Sequence, residues 1–204
     1  MKLLFPIVLC IMMLQQLSAA EHVTDHFYLK GHSVDSSVLV EVGDTLEKNY
    51  NRITTSLSIN LSHKITVNVY RDLSSYHTAI GKPGSPDWMV GNAVDSTIIH
   101  MVSPNNPGPE HSKESLLRVI IHEFTHNCVL VVAKGNYPPV WLNEGTAVYY
   151  ARQSLSKIWA RQLYKDNNDK IPTISNLATN FNGNDGYQWA YTIVHYIIDT
   201  YNGD

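Results

Sequence analysis

The apolar positions change period several times along the chain, and each period predicts an element. Val38, Val42, Leu46, Tyr50 and Ile53 recur every three or four residues, the stripe of an amphipathic helix over 36–56, with Ser33 or Asp35 as its cap. Lys64-Ile65-Thr66-Val67-Asn68-Val69-Tyr70 alternates and is rich in β-branched residues, which predicts a strand. A shorter strand is predicted at 26–30 and a short helix closed by Gly81 at 72–81. Pro and Gly mark 82–87 and 103–109 as loops, and between them 88–94 and 96–102 read as a hairpin turning near Asp95-Ser96. Past Ser112, a good N-cap, a nearly continuous apolar run to Leu130 predicts a helix buried on most sides. Helices are then predicted from about Val140, over 154–164 and over 187–201. The last should turn Ala190, Tyr191, Val194, Ile197 and Ile198 inward. A polar loop is expected at 165–170 and a turn at 180–186. The order predicts an α+β fold in one domain over 21–204: a small twisted sheet in 21–137 packed on the buried helix, and a mostly helical part over 138–204.

The buried helix carries His122-Glu123-Phe124-Thr125-His126. Positions four apart share a helical face, so His122 and His126 can aim two imidazoles at one ion. Glu123 is turned about 100° around the axis, which puts a carboxylate beside the metal without making it a ligand. This is the His-Glu-x-x-His arrangement, with two zinc ligands and a general base for a water activated by the metal. A third ligand is offered by Glu144 in Trp141-Leu142-Asn143-Glu144-Gly145, after a Gly-Asn-Tyr-Pro-Pro break that ends the first helix. Two His and one Glu leave the fourth tetrahedral position open, as a catalytic site requires, and the set predicts one Zn2+ per chain.

The combination of His122-to-His126 with Trp141-Leu142-Asn143-Glu144-Gly145-Thr146-Ala147-Val148-Tyr149-Tyr150 resembles the gluzincin zinc metallopeptidases, in the peptidase-MA-like branch related to thermolysin and the zinc aminopeptidases. The resemblance spans about Ser112 to Tyr150. It implies His122, His126 and Glu144 as metal ligands, Glu123 as general base, and hydrolysis of peptide bonds in a peptide or protein substrate. Such enzymes commonly bind an extended peptide along a sheet edge, for which Gly91-Asn92-Ala93-Val94 or its hairpin partner is the candidate. Gly186-Tyr187-Gln188-Trp189-Ala190-Tyr191 is similar to the aminopeptidase segment whose first Tyr stabilises the oxyanion, which implies that role for Tyr187, with Tyr191 and His195 as alternatives. Gln188 stands where that segment has Glu. Gly91-Asn92-Ala93-Val94-Asp95 has no Glu to hold a substrate amino terminus, which favours an endopeptidase over an aminopeptidase. A non-catalytic zinc-containing binding module is the alternative from another class, and the retained Glu123 argues against it. Val148 stands where thermolysin-like enzymes place a carboxylate to orient a ligand, so nothing in the sequence names the groups that orient the two His.

Composition sets the address and excludes some partners. Met1-Lys2, the apolar run from Leu3 to Leu14 and Leu17-Ser18-Ala19-Ala20 have the layout of a secretory signal, with cleavage expected after Ala20 and a secreted or periplasmic destination. No later segment reads as long and apolar enough to cross a bilayer. Cys10 leaves with the leader, so Cys128 stands alone as an expected buried apolar filler. The formal charge of −3 is spread along the sequence. No basic stripe points to nucleic acid and no basic amphipathic helix to a membrane surface. The other His residues have no ligand-spaced partner: His22, His26 and His32 are expected to be solvated, His63, His77 and His111 to lie in or near loops, and His100 in a strand.

Overall fold

The computed structural model describes residues 19–32, 36–153, 161–162, 164–165 and 171–201. Most of the leader, the cap at Ser33 or Asp35, most of the helix expected over 154–164 and the loop at 165–170 lie outside the described residues.

The fold is mixed α+β. Strands β1 (Ala19–Val23), β2 (Phe27–His32), β3 (Ile65–Tyr70), β4 (Gly91–Ala93) and β5 (Ile98–Val102) form one sheet in the order β1-β2-β3-β5-β4. The central pairs β2–β3 and β3–β5 are parallel, and the outer pairs β1–β2 and β4–β5 are antiparallel. Parallel neighbours need a crossover, and α1 (Ser36–Ser56) supplies the one between β2 and β3. Alternation does the rest: Ile65, Val67 and Val69 of β3 are buried while Thr66, Asn68 and Tyr70 are half-buried.

The core lies where α1 and α3 (Lys113–Val132) pack against the sheet. Phe27 meets Phe124 edge-on at 5.2 Å between ring centres, and Tyr50 stacks on Phe124 at 5.8 Å, so β2, α1 and α3 share one aromatic contact. By length and composition α3 is apolar enough to cross a membrane, contrary to the expectation from sequence, but 61% of its apolar window is buried in this fold. It is the core helix, which explains why it is apolar nearly all round. Cys128 is fully buried on it, as expected.

Beyond the sheet come α2 (Leu73–Ala79), α4 (Val140–Tyr150), α5 (Ile174–Thr179) and α6 (Gly186–Tyr201). Gly145 is where α4 and α6 touch. A Cβ there would sit 2.4 Å from the Ala190 carbonyl oxygen, so only glycine permits this approach. The contact also corrects the face of α6. Trp189, Ala190 and Val194 are buried, whereas Ile197, expected to face inward, is 40% exposed, because the helix meets α4 through its Ala190 side.

Other expectations shift for local reasons. The first hairpin strand shortens to Gly91–Ala93 because Met89 folds back to donate to the Pro86 carbonyl. Its partner starts at Ile98 because the Asp95 carboxylate accepts from the Thr97 and Ile98 amides and closes the turn. Ala19 and Ala20, expected to end the leader, pair with His32 and Gly31 in β1. His26 is not freely solvated: its Nδ1 lies 2.7 Å from Glu47, and its ring stacks on Tyr50. His77 lies on α2, within the helix expected over 72–81, and is buried there, 2.9 Å from the Met89 carbonyl oxygen. α5 is an element the hydrophobic pattern does not predict, capped by Thr173 and anchored by the fully buried Leu177.

Candidate metal centre

Ser112 starts α3 by accepting from the Ser115 amide, while the Ser115 hydroxyl accepts from the Ser112 amide. Three turns on, His122 and His126 project from one face with ring centres 4.6 Å apart. The helix stops where Lys134 and Gly135 take left-handed backbone angles and the Gly135 amide returns to the Leu130 carbonyl. Pro139 then opens α4 and brings Glu144 back over the pair.

The carboxylate reaches both rings. His122 Nε2 lies 3.2 Å from Glu144 Oε2, and His126 Nε2 lies 3.6 Å from Glu144 Oε1. One donor atom from each of the three residues lies within 4.8 Å of the others, so the group could hold a metal ion. Their side chains are only 12, 12 and 17% exposed.

The opposite ring nitrogens settle which face of each imidazole is available. His122 Nδ1 lies 3.0 Å from Gln153 Oε1, and His126 Nδ1 lies 2.9 Å from Asn143 Oδ1. An amide oxygen only accepts, so each Nδ1 carries a proton and each Nε2 is left for the metal. This is the polarity a metal-binding histidine needs, and the donor chemistry fits a divalent ion. Asn143 and Gln153 are what sequence reasoning missed. It sought a carboxylate at position 148, and Val148 instead lies in the cavity wall beside His122.

Without a metal the group behaves as an ion pair. Burial alone would lower the His126 pKa, but the close contact with Glu144, the fields of Glu123 and Glu144 and the bond to Asn143 raise it well above the usual imidazole range. Burial would likewise raise that of Glu144, and the bonds from His122 and His126 hold it well below the usual carboxylate range.

Glu123 is 7% exposed and stands beside the three ligands rather than among them. Its Oε2 accepts from the Ala93 amide at 2.8 Å. That bond ties the carboxylate to β4, an edge strand of the sheet among the described residues, as one of the two expected alternatives had it. Val94 donates to Ile98, and Val90 accepts from Val102. By the alternation of an antiparallel ladder, Gly91 and Ala93 then turn their backbone groups to the free edge, toward the cavity they line. A Cβ on Gly91 would sit 2.9 Å from Val119, so glycine also lets this edge lie close on α3.

No family model matches the chain, and a search of curated proteins finds no match.

Two adjoining cavities, of about 260 and 430 Å³, share Gly91, Asn92, His122, Glu123 and Tyr187. Tyr187, at the start of α6, therefore closes the cleft opposite the edge strand. Burial of the phenol, with the charges of Glu144 and Glu123, pushes its pKa up to about 12. The alternatives Tyr191 and His195 are not brought to this site. They line a separate cavity with Tyr149. Tyr137, which the sequence did not single out, also borders the metal group, its hydroxyl 3.4 Å from the Val94 carbonyl oxygen.

Proposed function

We propose that the protein is a zinc-dependent endopeptidase of the gluzincin kind, acting on peptide or protein substrates outside the cytoplasm. The observation that carries this reading is the convergence of His122, His126 and Glu144 with Glu123 held beside them by its bond to the edge strand. Two imidazoles and one carboxylate suit zinc with a position left open. Zinc bound there would polarise a carbonyl and lower the pKa of a water.

The protein's own groups supply the remaining chemistry. Glu123 accepts the proton released as water attacks and passes it to the leaving amine. The Tyr187 hydroxyl, kept protonated by its raised pKa, donates to the oxygen that gains charge. The outer side of β4 offers the Gly91 backbone groups and the Ala93 carbonyl to an extended chain, the Ala93 amide being taken by Glu123. The cleft continues into the larger cavity past Glu123, walled by Trp88, Met89, Val119 and Val148, which gives room for residues on both sides of the cut bond. Among the described residues, Glu123 and Glu144 are the only carboxylates lining either cavity, so none is spare to bind a substrate amino terminus. This supports internal cleavage.

The test is a peptide-library digest read by mass spectrometry, together with metal analysis of the purified protein. Internal cuts, about one zinc per chain and loss of cleavage with retained zinc in Glu123→Gln are expected. Stepwise loss from amino ends would replace the endopeptidase reading with an aminopeptidase. A metal-free, inactive protein would overturn both.

A further inference from the structure

Charges that are spread along the sequence gather in space behind the metal centre. Lys48 and Arg52 on α1, Arg118 on α3 and Arg152 just past α4 line one cavity of about 380 Å³, floored by Leu117 and Ile121. A second cavity of about 480 Å³ shares Arg52 and Arg152 and continues past Tyr149, Tyr191 and His195. Among the described residues no carboxylate lines either one. Acids act from outside the two cavities: Asp199 sits 3.6 Å from His195 and adds to the rise that burial gives the Tyr149 pKa, and Glu114 feels Arg118.

Arg52 is built as a receptor. Its Nη2 donates to the Tyr150 carbonyl at 2.7 Å and to Asn49 Oδ1 at 2.8 Å, both neutral acceptors, and its guanidinium lies over the Tyr150 ring. Those bonds fix the plane of the group and leave Nη1 and Nε with no partner among the described residues. Its electrostatic neighbour is a second cation, Arg152, held at a left-handed φ of 54°. Two like charges brought together without a counter-charge cost free energy until an anion lies between them. A planar fork with unused donors is the geometry that takes up phosphate or sulfate.

We propose that Arg52 and Arg152, with Lys48 and Arg118, form a binding site for an oxyanion ligand carrying two or more phosphate or sulfate groups. The four cations lining this cavity carry more positive charge than a single phosphate or sulfate dianion neutralises. The adjoining cavity, with the Tyr149 and Tyr191 rings, leaves room for the body of the ligand.

The test is calorimetry and thermal unfolding of the full chain with inorganic phosphate, pyrophosphate and a sulfated tetrasaccharide, at low and moderate salt. It reads binding alone and is independent of peptide cleavage. Arg152→Gly suits the left-handed backbone and preserves the fold, and Arg118→Gln removes an exposed charge. Saturable binding of pyrophosphate or the tetrasaccharide is expected, tighter than that of phosphate and weakened by salt. The double variant should weaken it by about tenfold or more. Tetrasaccharide binding without pyrophosphate binding would identify a sulfated glycan as the source, and the reverse a phosphate. No saturable binding of either, or equal binding by the double variant, would overturn the proposal.

Discussion

His122 Nδ1 and Gln153 Oε1 lie 3.0 Å apart, joining the first metal-site histidine to a residue nine positions past Glu144. Asn143 does the same for His126 from the position before Glu144. One short segment thus carries Glu144 and the groups that orient both histidines. The orienters are neutral amides, so they fix each ring without adding charge to the site. Gln153→Ala should lower zinc affinity by about 10–100-fold with the fold intact. Competition against a chelator of known affinity reads this directly. Unchanged affinity would mean that the amide only fills space.

The ion pair of the metal-free site makes a pH prediction. The His126 pKa is raised on folding, so its contribution is complete below the unfolded imidazole value of about 6.5 and is lost as pH rises through the folded value. That of Glu144 is lowered, so its contribution is complete above about 4.3 and is lost as pH falls through the folded value. The two overlap between about pH 4.3 and 6.5, where the pair should stabilise the metal-free protein most. A metal must displace the proton on His126, so the rise in Tm on adding zinc should grow as pH climbs above that window. Scans of the metal-free and zinc-loaded protein across pH test both parts. A zinc increment that does not change with pH would contradict the proton displacement.

How much of this was legible depended on the range of each interaction. The helix over 36–56 is read from its own stripe and the structure has it at Ser36–Ser56, because Val38, Val42, Leu46 and Ile53 all go to one core. The two His and Glu144 were legible because helical period and a Gly-Pro break place them with little help from elsewhere. Asn143 and Gln153 were not: an amide near a ligand has no distinctive spacing until the second helix is docked. The face of α6 was misread at Ile197 and Trp189 because the Gly145–Ala190 contact that sets it is tertiary. β1 was hidden for another reason, since Ala19 and Ala20 also satisfy the pattern of a leader's end. The basic groove could not be seen either, because its cations come from α1, α3 and the turn after α4, spread over about a hundred residues of sequence.

Tyr187 gives a kinetic prediction. Its ring packs edge-on against Phe181 at 4.9 Å while its hydroxyl shares the cleft with Glu123, so Phe should keep the packing and remove only the donor. Tyr187→Phe should lower kcat by about 10²–10³-fold with little change in KM. Zinc content and Tm should hold. A loss confined to KM would place the hydroxyl on the bound substrate rather than on the oxygen that gains charge.

Gly145 connects the two halves of the site. Glu144 precedes it on α4, and Ala190, its contact on α6, lies three residues past Tyr187. A Cβ at this position would meet the Ala190 carbonyl oxygen at 2.4 Å and the Val194 side chain at 2.7 Å. Backbone cannot rotate away as a side chain can, so α6 must move off α4. Gly145→Ala should therefore destabilise the protein by about 1–3 kcal/mol, although alanine is the better helix former at an unconstrained position. The same displacement withdraws Tyr187 from the cleft while His122, His126 and Glu144 stay on α3 and α4. Peptide cleavage should then fall by more than zinc affinity does. Equal losses in both would show that the contact supports the metal ligands themselves, and a stabilised variant would show that the helices are not packed this closely.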